Sequence, residues 1–208
     1  MTKRNFLSLF LLTLFLLCGS LNVQAQTTQT ETKDDETNLD TQLFLIVGTN
    51  QDVVEAKIPA TLDPVIKHLR ATLPFKNYRL AATLINRVKN EGRLSLSWIG
   101  GPLASTTGPT NTPSFSQFNV RQVKLGRNSD GQQVVQMSGF NFGARIPIQV
   151  SGAIAANGAV APNFNYENTG LQTDISMREA EPVIVGTLNV GPSGDAIILI
   201  VAAKRTTK

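Results

Sequence analysis

The sequence predicts a mainly β fold. It reads as a single β-rich domain of mostly antiparallel strands, a sandwich or a curled sheet, with one packed helix near residues 63–73. Three observations carry this expectation. First, the chain ends in three runs rich in Val, Ile, Leu and Thr, at 171–178, 182–190 and 196–203, separated by Glu179-Ala180-Glu181 and Gly191-Pro192-Ser193-Gly194-Asp195. The last of them, Ala196-Ile197-Ile198-Leu199-Ile200-Val201-Ala202-Ala203, is apolar without alternation, so protein should cover both of its faces and the rest of the fold should pack around it. Second, apolar residues alternate with polar ones through much of 78–99. Third, only residues 62–73 combine helical apolar spacing with helix start and stop signals.

Composition sets the outer bounds. With 41% hydrophobic and 16% charged residues over 208 positions, the chain is neither wholly disordered nor a coiled coil. At its start, Lys3 and Arg4 precede an apolar run at 6–17, broken only by Ser8 and Thr13, and Val23-Gln24-Ala25 offers short residues where a signal peptidase reads. Residues 1–25 are therefore expected to be a cleaved signal peptide, with Gln26 as the mature start. A retained anchor would need about twenty apolar residues. Cys18, the only cysteine, follows Phe15-Leu16-Leu17 and not the small residues that lipidation prefers. A mature chain without cysteine must be held by its core. Removing Lys3 and Arg4 leaves seventeen basic against fifteen acidic side chains, net +2, which argues for no nucleic acid partner. No later stretch is long enough for a helix to cross a bilayer, so the mature chain is expected to have no transmembrane span and to be exported, to the periplasm or beyond the cell.

Taken in order, residues 26–40 have one aliphatic side chain, Leu39, and read as a disordered polar tether, with the domain running from 41 to 208. Residues 43–47 form a short strand and 53–58 a more mixed second candidate. Asp63-Pro64 opens the helix with a capping side chain and a proline at the first helical position. Leu62, Val65, Ile66, Leu69 and Leu73 share one face, Lys67, His68 and Arg70 take the other, and Pro74 ends it. Residues 78–89 and 93–99 read as a hairpin on a three-residue loop, Asn90-Glu91-Gly92, with glycine left-handed. Val88 then faces Leu94 and Leu84 faces Trp98, and Leu80, Ala82, Leu84, Val88, Leu94, Leu96 and Trp98 line one face. Residues 100–114 form a long polar loop. Residues 115–125 and 132–140 are strands about an Asn128-Ser129-Asp130-Gly131 turn. In 141–150, Pro147 predicts an edge or a bulge. Residues 153–168 read as a small-residue loop, whose Phe164 and Tyr166 plug the core or, alternatively, form an aromatic contact patch. Eight to ten strands result.

Catalytic constellations are sparse. His68, the only histidine, has no second His or Cys to share a metal, and no carboxylate three or four residues away. The acidic run Asp34-Asp35-Glu36 lacks calcium-loop spacing. Met137-Ser138-Gly139 lacks the first glycine of a nucleophile elbow, Glu179 and Glu181 sit two apart at a turn, and Gly139-Phe140-Asn141-Phe142-Gly143 has no phosphate-loop lysine. No cofactor, metal or catalytic residue is expected. Arg79, Arg87, Lys89 and Arg93 would share the outward face of the hairpin, as a wet face or as a surface for an acidic partner.

The segment Met177-Arg178-Glu179-Ala180-Glu181-Pro182-Val183-Ile184-Val185-Gly186-Thr187-Leu188 resembles a strand-turn-strand element near the end of the secretin domain of bacterial secretion pores, and Ile197-Ile198-Leu199-Ile200-Val201 is similar to the strand that follows it. Ala180 and Thr187 stand where that family usually has glycine. The resemblance implies a β-rich envelope assembly protein and carries over no pore function or site residue. The expectation is a non-enzymatic binding or assembly module that associates with itself or with an envelope protein, its partner surface drawn from Arg79, Arg87, Arg93, Pro147, Phe164 and Tyr166. Two rivals are a secreted hydrolase, which needs a pocket gathering Asp or Glu, and a small-ligand or polysaccharide binder, which needs an aromatic-lined groove.

Overall fold

The computed structural model describes residues 37–52, 57–101, 103, 112–154, 160–191 and 194–206. The signal segment, the tether up to 36, residues 53–56 of the second candidate strand and most of the 100–114 loop lie outside the described residues. Strand β1, Asn38–Thr49, leads through a single 3-10 turn, Ala60–Leu62, into helix α1, Asp63–Thr72. Strands β2 (Asn77–Lys89), β3 (Gly92–Gly100), β4 (Ser114–Arg127), β5 (Gln133–Ile154), β6 (Val160–Arg178), β7 (Val183–Val190) and β8 (Asp195–Arg205) follow. They form two four-stranded antiparallel sheets, ordered β2-β1-β8-β7 and β3-β4-β5-β6.

Strand β8 sits between β1 and β7 and explains the layering. Its odd residues Ile197, Leu199, Val201 and Ala203 join Leu39, Leu43 and Leu45 of β1 and Phe118, Met137, Phe140 and Phe142 of the second sheet in the core between the sheets. Its even residues Ile198, Ile200 and Ala202 join Phe44 and Ile46 of β1 beneath Leu62 of the 3-10 turn and Ile66 and Leu69 of the helix. Both faces are covered, which is why the run does not alternate. Each such side chain contributes about 1.5–3 kcal/mol by leaving water. The Tyr78 hydroxyl donates to the Leu69 carbonyl at 3.0 Å, tying β2 to the helix.

Helix α1 buries Ile66 and Leu69, and Lys67, His68 and Arg70 are exposed as the pattern predicts. Its start differs. The 3-10 turn feeds straight into it, with the Leu62 N–H donating to the Pro59 carbonyl at 2.9 Å, and the Asp63 side chain makes no capping bond. Asp63 instead places its charge in the first turn, where the helix dipole favours it.

The expected hairpin at 78–99 does not form. Strand β2 pairs with β1, setting Leu84 opposite Leu43 and Val88 opposite Leu39, while β3 pairs with β4. The chain instead crosses from one sheet to the other at residues 90–91, where Asn90 Oδ1 accepts the Leu125 N–H at 2.8 Å and the Glu91 N–H donates to the Val123 carbonyl at 2.8 Å. The left-handed residue is Glu91, φ 63°, and not Gly92. Glycine is needed at 92 for space, since a Cβ there would lie 2.7 Å from the Lys89 carbonyl oxygen. Alternation fixes which face is inward but not which strand is the neighbour, so a hairpin and two leaves of a sandwich satisfy the same pattern. A bulge adds a further difference: Leu45 faces Ala82 and Ile46 faces Leu80, leaving Ala81 over. Tyr78 and Leu80 therefore pack under the helix, and Ala82, Leu84 and Val88 pack between the sheets.

Strand β1 begins before the expected boundary at 41, and fully buried Leu39 shows that the polar segment gives way to the fold by Asn38. The Asn128–Gly131 turn forms as predicted, with Asn128 Oδ1 accepting the N–H groups of Asp130 at 3.1 Å and Gln132 at 2.8 Å. Residues 132–140 and 141–150 belong to one strand, because Gly139 at φ 62° absorbs a bulge between Met137 and Phe140. Of the expected loop, residues 153–154 and 160–168 continue that ladder, Ala153 opposite Ala161 and Ile154 opposite Val160, and the partner strand overrides their weak strand preference; 155–159 lie outside the described residues. Ala180, in the turn before β7, has φ 65°, the left-handed backbone that glycine favours.

Candidate functional site

On the second sheet, Phe118, Val120, Phe140 and Phe142 point into the core, so their neighbours of opposite parity form an outer face. Register aligns that face in rows across the strands. One row is Ile99, Phe115, Arg145 and Asn168, the next is Ser97, Gln117, Gly143 and Gly170, and the third is Ser95, Asn119, Asn141 and Gln172. Two adjacent strands thus lack a side chain in the middle row, which leaves a trough between the outer rows. The Gln117 amide leans over it: a Cβ on Gly143 would lie 3.1 Å from Gln117 Nε2.

The first wall is aromatic. Phe115 stands 5.8 Å from the Tyr166 ring at 52°, and the Arg145 guanidinium carbon lies 5.5 Å from the Tyr166 ring centre. The Tyr166 hydroxyl donates to the Pro113 carbonyl at 3.1 Å, which locks the ring in place. Ile99 and Phe115 remain 68% and 40% exposed, a contiguous apolar rim in water. The opposite wall is polar, and Ser95 Oγ donates to Asn119 Oδ1 at 2.7 Å. Among the described residues no Asp, Glu, His or Cys lines the trough.

The partner-surface residues expected from sequence separate. Pro147, Phe164 and Tyr166 come together on the second sheet, Pro147 opposite Tyr166. Pro147 lies two residues past Arg145, the last position of β5 with a β4 partner, so β5 has a neighbour on one side only there, as an edge proline requires. Phe164 and Tyr166 are half-buried on a strand and are named in neither core cluster, so they do not plug the core, and the Tyr166 ring packs on Phe115. The arginines form no common row. Arg87 Nε donates to Asp40 Oδ1 at 2.8 Å, and that hydrogen bond holds the Asp40 carboxyl below its ordinary range and the Arg87 guanidinium above its own. Arg79 is partly buried, which lowers its pKa against the opposing field of Asp195. Arg93 is exposed on the other sheet.

The remaining sequence candidates stay apart. His68 is on the helix over the first sheet, and Ser138 is on the second. Glu179 is bound by Arg205, whose Nη2 donates to Oε2 at 2.9 Å, and this hydrogen bond holds the Glu179 carboxyl below its usual value. Among the described residues no group of three or more His, Cys, Asp or Glu stands together, and no helix is long and apolar enough to cross a membrane. The sequence reading missed Phe115, Gln117, Arg145 and Asn168. Phe115 carried a signal, since its parity opposes that of Phe118 and Val120.

The lateral sides of the sandwich also differ. Strands β6 and β7, joined by a tight turn, are the edges on one side, and β2 and β3 are the edges on the other. Strand β7 has no charged residue, and the nineteen-residue β6 has only Glu167, Asp174 and Arg178. Strand β2 has Arg79, Arg87 and Lys89.

No protein-family model and no curated protein matches the sequence. Among solved structures, the chain is similar to the secretin domain β-barrel of InvG from the Salmonella SPI-1 injectisome, with 8% identity, 83% of this chain and 64% of that one covered, and a TM-score of 0.37. It is similar to the V. cholerae type IV competence pilus secretin PilQ at 10% identity over 83% of this chain and 58% of that one, with a TM-score of 0.34. A Klebsiella pneumoniae type II secretion outer membrane complex of PulD, PulS and the PulC HR domain gives 11% identity, 83% and 39% coverage and a TM-score of 0.31. The chain spans less than two thirds of each of these. Superposition at this level establishes neither a shared fold nor a shared role.

Proposed function

We propose that this protein is an exported β-sandwich module of the cell envelope that acts by binding and assembly rather than catalysis, joining copies of itself through its lateral edges. The observation that carries this reading is the stacking of two open edges, β6 and β7, on one side of the sandwich with almost no charge to blunt them. Edges usually carry lysine, proline or short strands against such pairing; here Pro162 stands near the start of β6 and β7 has eight residues, but neither strand has a lysine. The opposite side offers β2 and β3, whose charged residues are basic, whereas β6 contributes Glu167 and Asp174. A contact between unlike sides is heterologous and either closes into a ring or continues as a filament. The signal-like residues 1–25 support export. The trough on the second sheet has no Asp, Glu, His or Cys among its described lining residues, which favours binding over hydrolysis there.

Light scattering on the purified protein tests this. A defined oligomer is expected, and Thr187→Lys with Asn189→Lys, two exposed positions on β7, should reduce the mass to one chain while circular dichroism stays unchanged. A parent protein that is monomeric at every concentration would sink the proposal.

A further inference from the structure

We infer that the trough across the exposed face of the second sheet is a binding site for a neutral oligosaccharide chain. This inference does not rest on the assembly reading, since the trough lies on a face and not on the lateral edges. Three features specify the ligand. The first is shape. Gly143 lowers the floor on β5, and the depression lined by Ser97, Ile99, Phe115, Gln117, Arg145 and Asn168 runs across strands β3 to β6, over about 14 Å at the ordinary strand spacing. That length suits a short chain laid along the trough better than a single compact molecule.

The second feature is the chemistry of the walls. Phe115 presents an exposed ring on one side, steadied by Tyr166, whose own hydroxyl is held by Pro113. Gln117 and Asn168 line the groove with primary amides, each with two donors and an acceptor, and Asn119 and Asn141 stand one row beyond it. A sugar ring has an apolar C–H face and a rim of hydroxyls that both donate and accept. An aromatic ring beside a row of amides matches that pairing, the ring taking the C–H face and the amides the hydroxyls.

The third is what the trough excludes. Among the described lining residues the one charged side chain, Arg145, lies over the Tyr166 ring, and exposed Arg93, Arg121 and Lys124 stand outside the lining, so an acidic polymer or nucleic acid would meet a single cation within the trough. An extended peptide recognised by strand addition needs free backbone groups, but β5 at the floor is paired on both sides, to Gln117 of β4 and to Gly170 of β6. With no carboxylate in the lining, a glycosidic bond held there has neither acid nor nucleophile, and the site binds without cleaving.

Calorimetric titration of the purified protein with cellohexaose and with chitohexaose tests the inference, with polygalacturonate as the acidic control. Trp98 provides a local readout. It is the only tryptophan, it packs 6.4 Å from Phe142 and it borders the trough, so its emission should change on binding. At least one neutral hexasaccharide should bind saturably, and Phe115→Ala and Gly143→Ala should each weaken it at least tenfold. The added methyl at 143 meets the Gln117 side chain, Nε2 at 3.1 Å and Cγ at 3.3 Å, which has to shift by a few tenths of an ångström, and an unchanged unfolding midpoint verifies that the fold is intact. Absence of heat and of Trp98 change with both hexasaccharides overturns the inference. So does binding that survives both substitutions, or tighter binding of polygalacturonate.

Discussion

The two sheets share one core and differ in what covers their backs. Behind the first, the helix closes over Phe44, Ile46, Ile198 and Ile200, so β8 is buried from Asp195 to Ala203 and its side chains are set by packing on both faces. Behind the second, no described element packs, and the side chains are amides, hydroxyls, glycines, a few aromatics and exposed cations such as Arg93, Arg121 and Arg145. A sheet covered on both sides has little freedom to specialise. A sheet with one wet face keeps its fold with one parity of residues and leaves the other parity open to recognition.

The sharpest way to break this comparison is to truncate one apolar residue in each place. Leu199→Ala in β8 should cost about 2–5 kcal/mol in chemical denaturation, for a fully buried side chain and the cavity left behind. Phe115→Ala on the wet face should cost under about 1 kcal/mol, as exposed positions usually do. Equal losses would mean that the outer face is structural. A smaller effect probes how the helix is held to its sheet: Tyr78→Phe removes one of the two donors to the Leu69 carbonyl, which keeps the Leu73 N–H, and should lower stability by about 1 kcal/mol, read from the denaturation midpoint.

The smallest expected effect is on pH dependence. Arg87 holds Asp40, and Arg205 holds Glu179, below their ordinary values of 3.8 and 4.5 in the folded chain. A depressed folded pKa contributes stability that is complete above the ordinary range and is lost as pH falls through the folded value. Denaturation midpoints should therefore hold from neutral pH downward and then decline below the ordinary carboxylate range, and Arg205→Ala should flatten part of that decline. A midpoint that rises on acidification would show that these pairs have the opposite sign.

Much of the fold was legible because burial writes itself into local patterns. The unbroken apolar run at 196–203 announced a strand covered on both faces, the spacing at 62–73 announced a one-sided helix, and Asn128 to Gly131 announced a turn. The candidate site was legible only in pieces. Tyr166 and Pro147 stood out by residue type, whereas Phe115, Arg145 and Gly143 come from separate strands and meet only through register.

What the chain determined by itself is the identity of its elements and the inward parity of each, since both follow from side chains a few residues apart. Tertiary structure decided which strands are neighbours. Val88 and Leu94 point to one core whether their strands pair with each other or lie in opposite sheets, and the choice rests on hydrogen bonds to β1 and β4, whose residues are distant in sequence. The trough has the same origin. Gly143 and Gly170 are ordinary glycines along the chain, and they make a depression only because antiparallel register sets them side by side.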